Sequence, residues 1–294
     1  MTDQIEGQGR VIDWDAGRRA FIRNCGLAAA GAAVLGAVHP GEARAADNID
    51  VDVLNFALNL EYLEAEFYLR ATTGKGLSSS DIDGAGTQGP VAGGKKVSFD
   101  TKAIRQYAEE IAGDEEAHVK FLRAGLGDAR VARPKIDLKK SFTAAAKAAG
   151  LVSGDQRFDA FANETNFLLA AFIFEDVGVT AYKGAAPLLT DKGLLEAAAG
   201  ILGVEAYHAG IIRTLLAQRG LFAESKAISR ARDSLAGTDK DQGVGNDKKP
   251  NLVPTDENGI AYSRSVPQVK KVVYLNPDGT KGGFYPNGIN GAFA

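Results

Sequence analysis

Four stretches of this chain read as long amphipathic helices, and each sets a glutamate into the middle of its apolar stripe. On a period of about 3.6 residues, Leu54, Leu58, Glu61, Ala65 and Tyr68 share one face of a helix over residues 48–72. Ala108, Ile111, Glu115, His118 and Leu122 do so on a second, starting at Ser98 or Asp100 and running to about Ala124. Leu168, Ala171, Glu175, Val179 and Tyr182 align on a third over residues 158–183. Ala198, Ile201, Glu205, His208 and Ile212 align on a fourth, from Thr190 or Asp191 to Arg219. Packing four such stripes together places four carboxylates in one core.

A buried ionised carboxylate costs several kcal/mol even after the protein relaxes around it, and no lysine or arginine shares these stripes near the glutamates. Divalent or trivalent metal ions are the simplest compensation. Glu115 and His118 stand three residues apart, as do Glu205 and His208, an offset that puts both side chains of a pair on one helical face. The chain has 3 histidines, and these two motifs use all but His39. One Glu-x-x-His is common by chance. Two, each preceded by a helix with a lone core glutamate, predict a pair of metal sites with mixed oxygen and imidazole donors, a set suited to iron or manganese. The order also repeats: Tyr68 follows Glu61 by seven residues and Tyr182 follows Glu175 by seven. The competing reading is a set of satisfied core polar groups, but four glutamates against two imidazoles leave negative charge in excess.

The N-terminus has a different character. Arg18-Arg19-Ala20-Phe21-Ile22-Arg23 precedes the apolar run GLAAAGAAVLGAV, and Ala43-Arg44-Ala45 follows. A charged region, a short apolar stretch and an Ala-x-Ala site predict a secretory signal over residues 1–45, and the paired arginines resemble a twin-arginine export signal. The run is short of the roughly 20 apolar residues that span a bilayer, although an uncleaved anchor is the alternative. Cleavage would remove the single cysteine, Cys25, leaving no thiolate ligand and no disulfide. These features predict export to the periplasm through the twin-arginine machinery, with no stable membrane insertion afterwards. A net charge of −3 lacks the basic excess of a nucleic-acid binder.

The remaining expectations concern organisation. Residues 46–235 read as an all-α, ferritin-like four-helix bundle, because the connection between the second and third helices is long enough to cross it. Shorter helices are expected over 138–149 and 224–235, with Asp50 or Asp52 capping the first long helix. Residues 73–98, rich in Gly, Ser and Asp, form a long loop, either a cover for the site or slack. Residues 236–294 read as an irregular extension packed on the bundle, with one strand at 269–275. Tyr62, Tyr68, Tyr107, Tyr182 and Tyr207 read as core filler in preference to partners of the site, and Asp114 and Glu116 as solvated surface charge.

Four quoted stretches, NFALNLEYLEAEFYLRATTGKGL, EEIAGDEEAHVKFLR, FEDVGVTAYKGA and GVEAYHAGIIR, resemble the ferritin-like superfamily of di-iron and di-manganese carboxylate proteins, most closely its desiccation-related members. The resemblance covers roughly residues 50–220, and the closing GGFYPNGING is similar too. It implies a four-helix bundle with a two-metal (Fe or Mn) centre held by Glu61, Glu115, His118, Glu175, Glu205 and His208. Glu64, one turn beyond Glu61, is the alternative or additional donor on the first helix. The resemblance implies no settled reaction. Peroxide, dioxygen and iron are the candidate substrates of an oxidoreductase of catalase, peroxidase or ferroxidase type. A metal-sequestering or structural protein of desiccation protection is the alternative, and a homo-oligomer is compatible with either.

Overall fold

The computed structural model describes residues 42–294, with side-chain surroundings from residue 49 onward. The leader with its paired arginines and apolar run lies outside the described residues. In order come α1 (Glu42–Thr73), β1 (Val91–Ala92), α2 (Lys102–Leu126), β2 (Ile136–Asp137), α3 (Lys140–Ala148), α4 (Glu164–Ala185), α5 (Lys192–Gln218), α6 (Phe222–Ala236) and α7 (Val266–Val273). The protein is all-α, with one two-stranded parallel ladder among the described residues.

α1 packs along α2 and α4 along α5, and the two pairs meet chiefly through α1 and α4. Tyr68 reaches Glu175 while Tyr182 reaches Glu61, so α1 and α4 run antiparallel. Asn55, in the first half of α1, bonds Ala129 and Val131 just beyond the end of α2, while Glu61 further along meets His118 earlier in α2, so these two are antiparallel as well. α2 and α4 therefore point the same way, and the connection between them must travel the length of the bundle. That is the single long crossover of a ferritin-like bundle.

Several local expectations give way to tertiary contacts. Asp50 does not cap α1, which begins at Glu42. Its carboxylate instead accepts from Thr190 N at 2.7 Å, Thr190 Oγ1 at 2.7 Å and Asp191 N at 3.0 Å, fixing the turn into α5. α4 starts at Glu164 in place of residue 158, because the Asn163 side chain accepts from Asn166 N and supplies the cap. The strand expected at 269–275 is helical. Val266, Val269 and Val273 fall on one face of α7, Pro267 sits in its first turn, and Gln268 Oε1 accepts from Ser265 N at 2.9 Å. A β-branched run reads as strand locally, but here its spacing packs a helix.

The long loop is stitched to the crossover. Ala85 exchanges backbone hydrogen bonds with Arg130 and Ala132, and β1 pairs with β2. The chain's end closes over the same region: Tyr285 donates to Asn59 O at 2.7 Å, Asn290 N donates to Asn59 Oδ1, and Asn290 also bonds Thr87 and Ala132. Phe284 sits edge-on to Phe174 and Phe142, with ring centres 4.9 and 5.1 Å away. Residues 236–294 thus contribute buried aromatic side chains to the same core.

Candidate metal centre

Glu61, Glu115, His118, Glu175, Glu205 and His208 are all buried and converge at the middle of the four long helices. They form two clusters whose donor atoms lie within 4.8 Å of one another: Glu61, Glu115, His118 and Glu205 in one, Glu115, Glu175 and His208 in the other. Glu115 belongs to both. His118 Nδ1 is 3.2 Å from Glu61 Oε2, 3.6 Å from Glu115 Oε2 and 3.9 Å from Glu205 Oε1. His208 Nδ1 is 3.0 Å from Glu115 Oε1 and 3.7 Å from Glu175 Oε2. Both imidazoles turn Nδ1 inward, with ring centres 6.4 Å apart.

Glu64 is buried beside this set but in neither cluster. Room for it comes from α4: a Cβ placed on Gly178 would lie 3.5 Å from Glu64 Oε1 and only 2.1 Å from Glu205 Oε2. The glycine that breaks the symmetry between α1 and α4 is what lets two carboxylates share the space.

Two expectations about surrounding side chains are overturned. Tyr68 and Tyr182 are not filler: each is buried and donates its hydroxyl to a glutamate of the opposite helix, Tyr68 to Glu175 and Tyr182 to Glu61. Antiparallel pairing of α1 and α4 turns the seven-residue offset within each helix into a reciprocal bond between them. Asp114 is 44% exposed, yet its Oδ2 lies 3.0 Å from His208 Nε2. That contact orients the ring and keeps Nδ1 directed inward. Glu116 pairs with Lys120 on the surface as expected. Of the other tyrosines, Tyr62 is buried and donates to Val131 O, while Tyr107 and Tyr207 are exposed.

The electrostatics are severe. Five fully enclosed glutamates, counting Glu64, face two imidazoles. Burial pushes Glu61 up to about 7 against the charge of His118, and Glu175 up to about 8 against that of His208. Glu64 and Glu205 are driven well above the usual carboxylate range, by burial first and by neighbouring carboxylates next. Glu115 moves the other way. Burial opposes its ionisation, but close contact with both imidazoles outweighs that and holds it at about 2. Burial likewise opposes a charge on the histidines, yet Glu61 and Glu115 carry His118 to about 11, and Glu115 and Glu175 carry His208 to about 9. Burial also lifts both tyrosine hydroxyls well above 10, which keeps them as donors.

Even so, hydrogen bonding is incomplete. Both oxygens of Glu115, both of Glu205, Glu175 Oε2 and His208 Nδ1 are buried without a hydrogen-bond partner. His208 Nδ1 is near Glu115 but not aligned for a bond. An unpaired buried polar atom costs about 1–3 kcal/mol, more when charged. Five carboxylate oxygens and one imidazole nitrogen, each presenting a lone pair once its proton leaves, are the chemistry that cations satisfy.

Residues 49–218 match a family model described as a ferritin-like domain. The chain belongs to the ferritin-like family. Across 269 residues it is 30% identical to the ferritin-like catalase Nec2 of Nesocodon mauritianus, an alignment covering 84% of this chain and 86% of that protein. It is 37% identical over 171 residues to the desiccation-related protein PCC13-62 of Craterostigma plantagineum, covering 58% of this chain and 54% of the relative. No solved structure matches it. In this ferritin-like bundle the buried carboxylate and histidine clusters are compatible with a metal site.

Proposed function

We propose that this protein binds two metal ions, iron or manganese, and disproportionates hydrogen peroxide. Glu61, His118 and Glu205 would hold one ion and Glu175 and His208 the other, with Glu115 shared between them. The observation that carries the metal reading is the convergence of six unpartnered buried donor atoms. Oxygen-rich donors with one imidazole per cluster suit iron and manganese. Similarity to a ferritin-like catalase over most of both chains supports peroxide as substrate.

The metals would supply one-electron redox changes as one peroxide is oxidised to dioxygen and another is reduced to water. Two hydrogen peroxide molecules then give one dioxygen and two waters, with no external electron donor. Residues 42–294 contain no cysteine, so the bundle has no thiolate-bound iron centre to relay electrons. Tyr68 and Tyr182 fix the carboxylates of Glu175 and Glu61 by hydrogen bonds across the core. Asp114 holds the tautomer of His208. The centre comes nearest to solvent at His118, whose side chain is 11% exposed, and at Asp114 beside His208, which is more so. The rest of the cluster is shut from water, which suppresses leakage of reactive oxygen species.

The twin-arginine leader and the periplasmic location belong to the same proposal, on the strength of Arg18-Arg19 and the following apolar run. A chain that folds around its metals before export needs a route that carries folded cargo. The second reading, metal sequestration or structural protection without turnover, takes its support from the desiccation-related relative.

The test is metal content followed by oxygen evolution. Protein purified without added metal should carry about two iron or manganese ions per chain, and should release dioxygen from hydrogen peroxide in an oxygen electrode. A Glu115→Ala/His208→Ala double variant should lose both properties. Bound metal without oxygen evolution would favour sequestration. Absence of metal, with the variant equally stable, would sink the metal reading.

A further inference from the structure

The four long helices differ in what they show to solvent. Every residue of α1 from 53 to 69 is buried, and so is every residue of α4 from 167 to 178. The outer side of α2 is charged, with Arg105, Glu109, Glu110 and Lys120 exposed. α5 follows neither pattern. Over residues 197–218 its charged or imidazole side chains are Glu205, His208 and Arg213, and all three are buried. Only 33% of its most apolar stretch is buried. A helix with one side in the core and the other in water normally turns polar and charged groups outward. α5 turns out Gly203, Ala206, Tyr207, Gly210 and Thr214.

That face is the floor of an open trough of about 1070 Å³. Ile104 and Tyr107 of α2 stand on one side of it, and Leu252 and Val253 on the other. Tyr207 rises from the floor and is 76% exposed, while Val253 is 71% exposed and Tyr107 40%. The one charged side chain on the lining, Arg219, is already bonded to Glu164 and Thr165. Contiguous apolar surface of this kind, with aromatic side chains standing in water, marks an interaction site.

We propose that this trough is the face through which two copies of the chain associate as a two-fold dimer. Three properties select a second copy. The first is charge: a charged partner surface would lose its water here with no opposite charge to meet it. The occupant must therefore be uncharged and apolar, as this face itself is. The second is size. The uncharged stretch of α5 is about 30 Å long by the helical rise, and with a wall on either side the trough is roughly 20–25 Å across. Covering that strip removes about 600–750 Å² from each copy, which is within the range of stable interfaces. The third is shape. Tyr207 lies at the middle of the stretch, and Gly203 and Gly210, one turn before and after it, keep the floor low on both sides. A two-fold axis crossing α5 at that point sets the two helices antiparallel and lays each Tyr207 ring on the low floor of the other copy.

The test is sedimentation velocity on the full chain across a wide concentration range, beside Tyr207→Glu, Val253→Glu and Lys147→Glu. Tyr207 and Val253 are exposed, so their variants keep the fold, which circular dichroism checks. Lys147 is exposed on α3, outside the trough, and its variant controls for added negative charge. The expected result is a species of twice the monomer mass, with a dissociation constant on the order of micromolar or tighter. Tyr207→Glu should weaken it about 30-fold or more, Val253→Glu should weaken it as well, and Lys147→Glu should leave it unchanged. A monomer at every concentration would overturn the proposal, as would a dimer that Tyr207→Glu and Val253→Glu do not weaken. A monomer that co-sediments with phosphatidylglycerol vesicles, and loses that property in Tyr207→Glu, would assign the face to a lipid surface instead. Metal content reads the carboxylate centre independently, so the two proposals fail separately.

Discussion

Gly178→Ala tests the candidate centre more directly than removal of a ligand does, because helix propensity and site geometry predict opposite signs. Ala in place of Gly inside a helix normally stabilises by about 0.5–1 kcal/mol. At Gly178 the new methyl would stand 2.1 Å from Glu205 Oε2 and 3.0 Å from Glu205 Cδ. An ordinary contact begins near 3.4 Å, so the carboxylate must retreat by about 1 Å. Glu205 is wholly buried with Glu64 beside it, so the retreat drives its carboxylate against the other buried carboxylates of the centre. Overpacking of this kind costs about 1–3 kcal/mol, which exceeds the helix gain.

The expected outcome is a net loss of about 1–2 kcal/mol in urea unfolding of the metal-free protein. Oxygen evolution should fall on the order of 100-fold, since displacements near 1 Å at a reacting centre have that effect. Gly113→Ala, Gly203→Ala and Gly210→Ala are internal controls: nothing lies within 4 Å of a Cβ at any of them. Each should gain about 0.5–1 kcal/mol and retain metal. If Gly178→Ala proves as stable as these controls and keeps full metal content, the packing of Glu205 against α4 is wrong, and with it the first cluster.

Glu61→Ala should lose about half the bound metal or more, whereas Glu64→Gln should retain it, because Glu64 belongs to neither donor cluster; metal analysis of both separates the two glutamates of α1. Tyr68→Phe leaves Glu175 without its hydroxyl donor, so metal affinity or activity should fall about 10- to 100-fold, measured by chelator competition, and wild-type affinity would refute a positioning role. The metal-free protein should be most stable at mildly acidic pH. Glu61 at about 7, Glu175 at about 8, His208 at about 9 and His118 at about 11 all lie above their ordinary values, so the stability they contribute is complete at low pH and is lost as pH rises through these values. Glu115, held at about 2, gives the opposite limb, lost only as pH falls below the usual carboxylate range. Unfolding free energy against pH should decline steadily from about pH 5 to pH 9 without metal and flatten with it; a rise over that span would refute the charge balance.

The stripe of each long helix was legible because burial follows the helical period, and a glutamate on that period stands out against alanine, leucine and isoleucine. The surroundings of the site were less legible because they depend on register between helices. Tyr68 and Tyr182 carried a usable signal, the same seven-residue offset from Glu61 and Glu175, but the exchange of partners follows only once α1 and α4 are known to be antiparallel. Asp114 lies off the stripe of its own helix and by that alone reads as solvated; α5 approaches from the side and brings His208 to it. Asp50 reads locally as a cap for its own helix, whereas its carboxylate serves the turn into α5. Residues 269–275 failed for a different reason. A valine-rich run favours strand by local propensity, while Ser265, Pro267 and Gln268 build a helix start in front of it.

The C-terminal segment makes physical sense against the carboxylate centre. Five enclosed glutamates repel one another across the seam between α1 and α4 whenever the cluster carries excess charge. The two helix pairs meet chiefly through those helices, so repulsion there would push the pairs apart. The segment grips both. Tyr285 and Asn290 bond Asn59, two residues before Glu61. Arg264 bonds Thr180 on α4, and Asp241 links Arg264 to Arg232, which binds Asp176 beside Glu175. Phe284 adds aromatic contact with Phe174. Each attachment lies within five residues of a proposed ligand, and none uses a ligand atom. The segment therefore resists separation of α1 and α4 while leaving the donor lone pairs free, which a more conventional remedy, an arginine inside the seam, would not do.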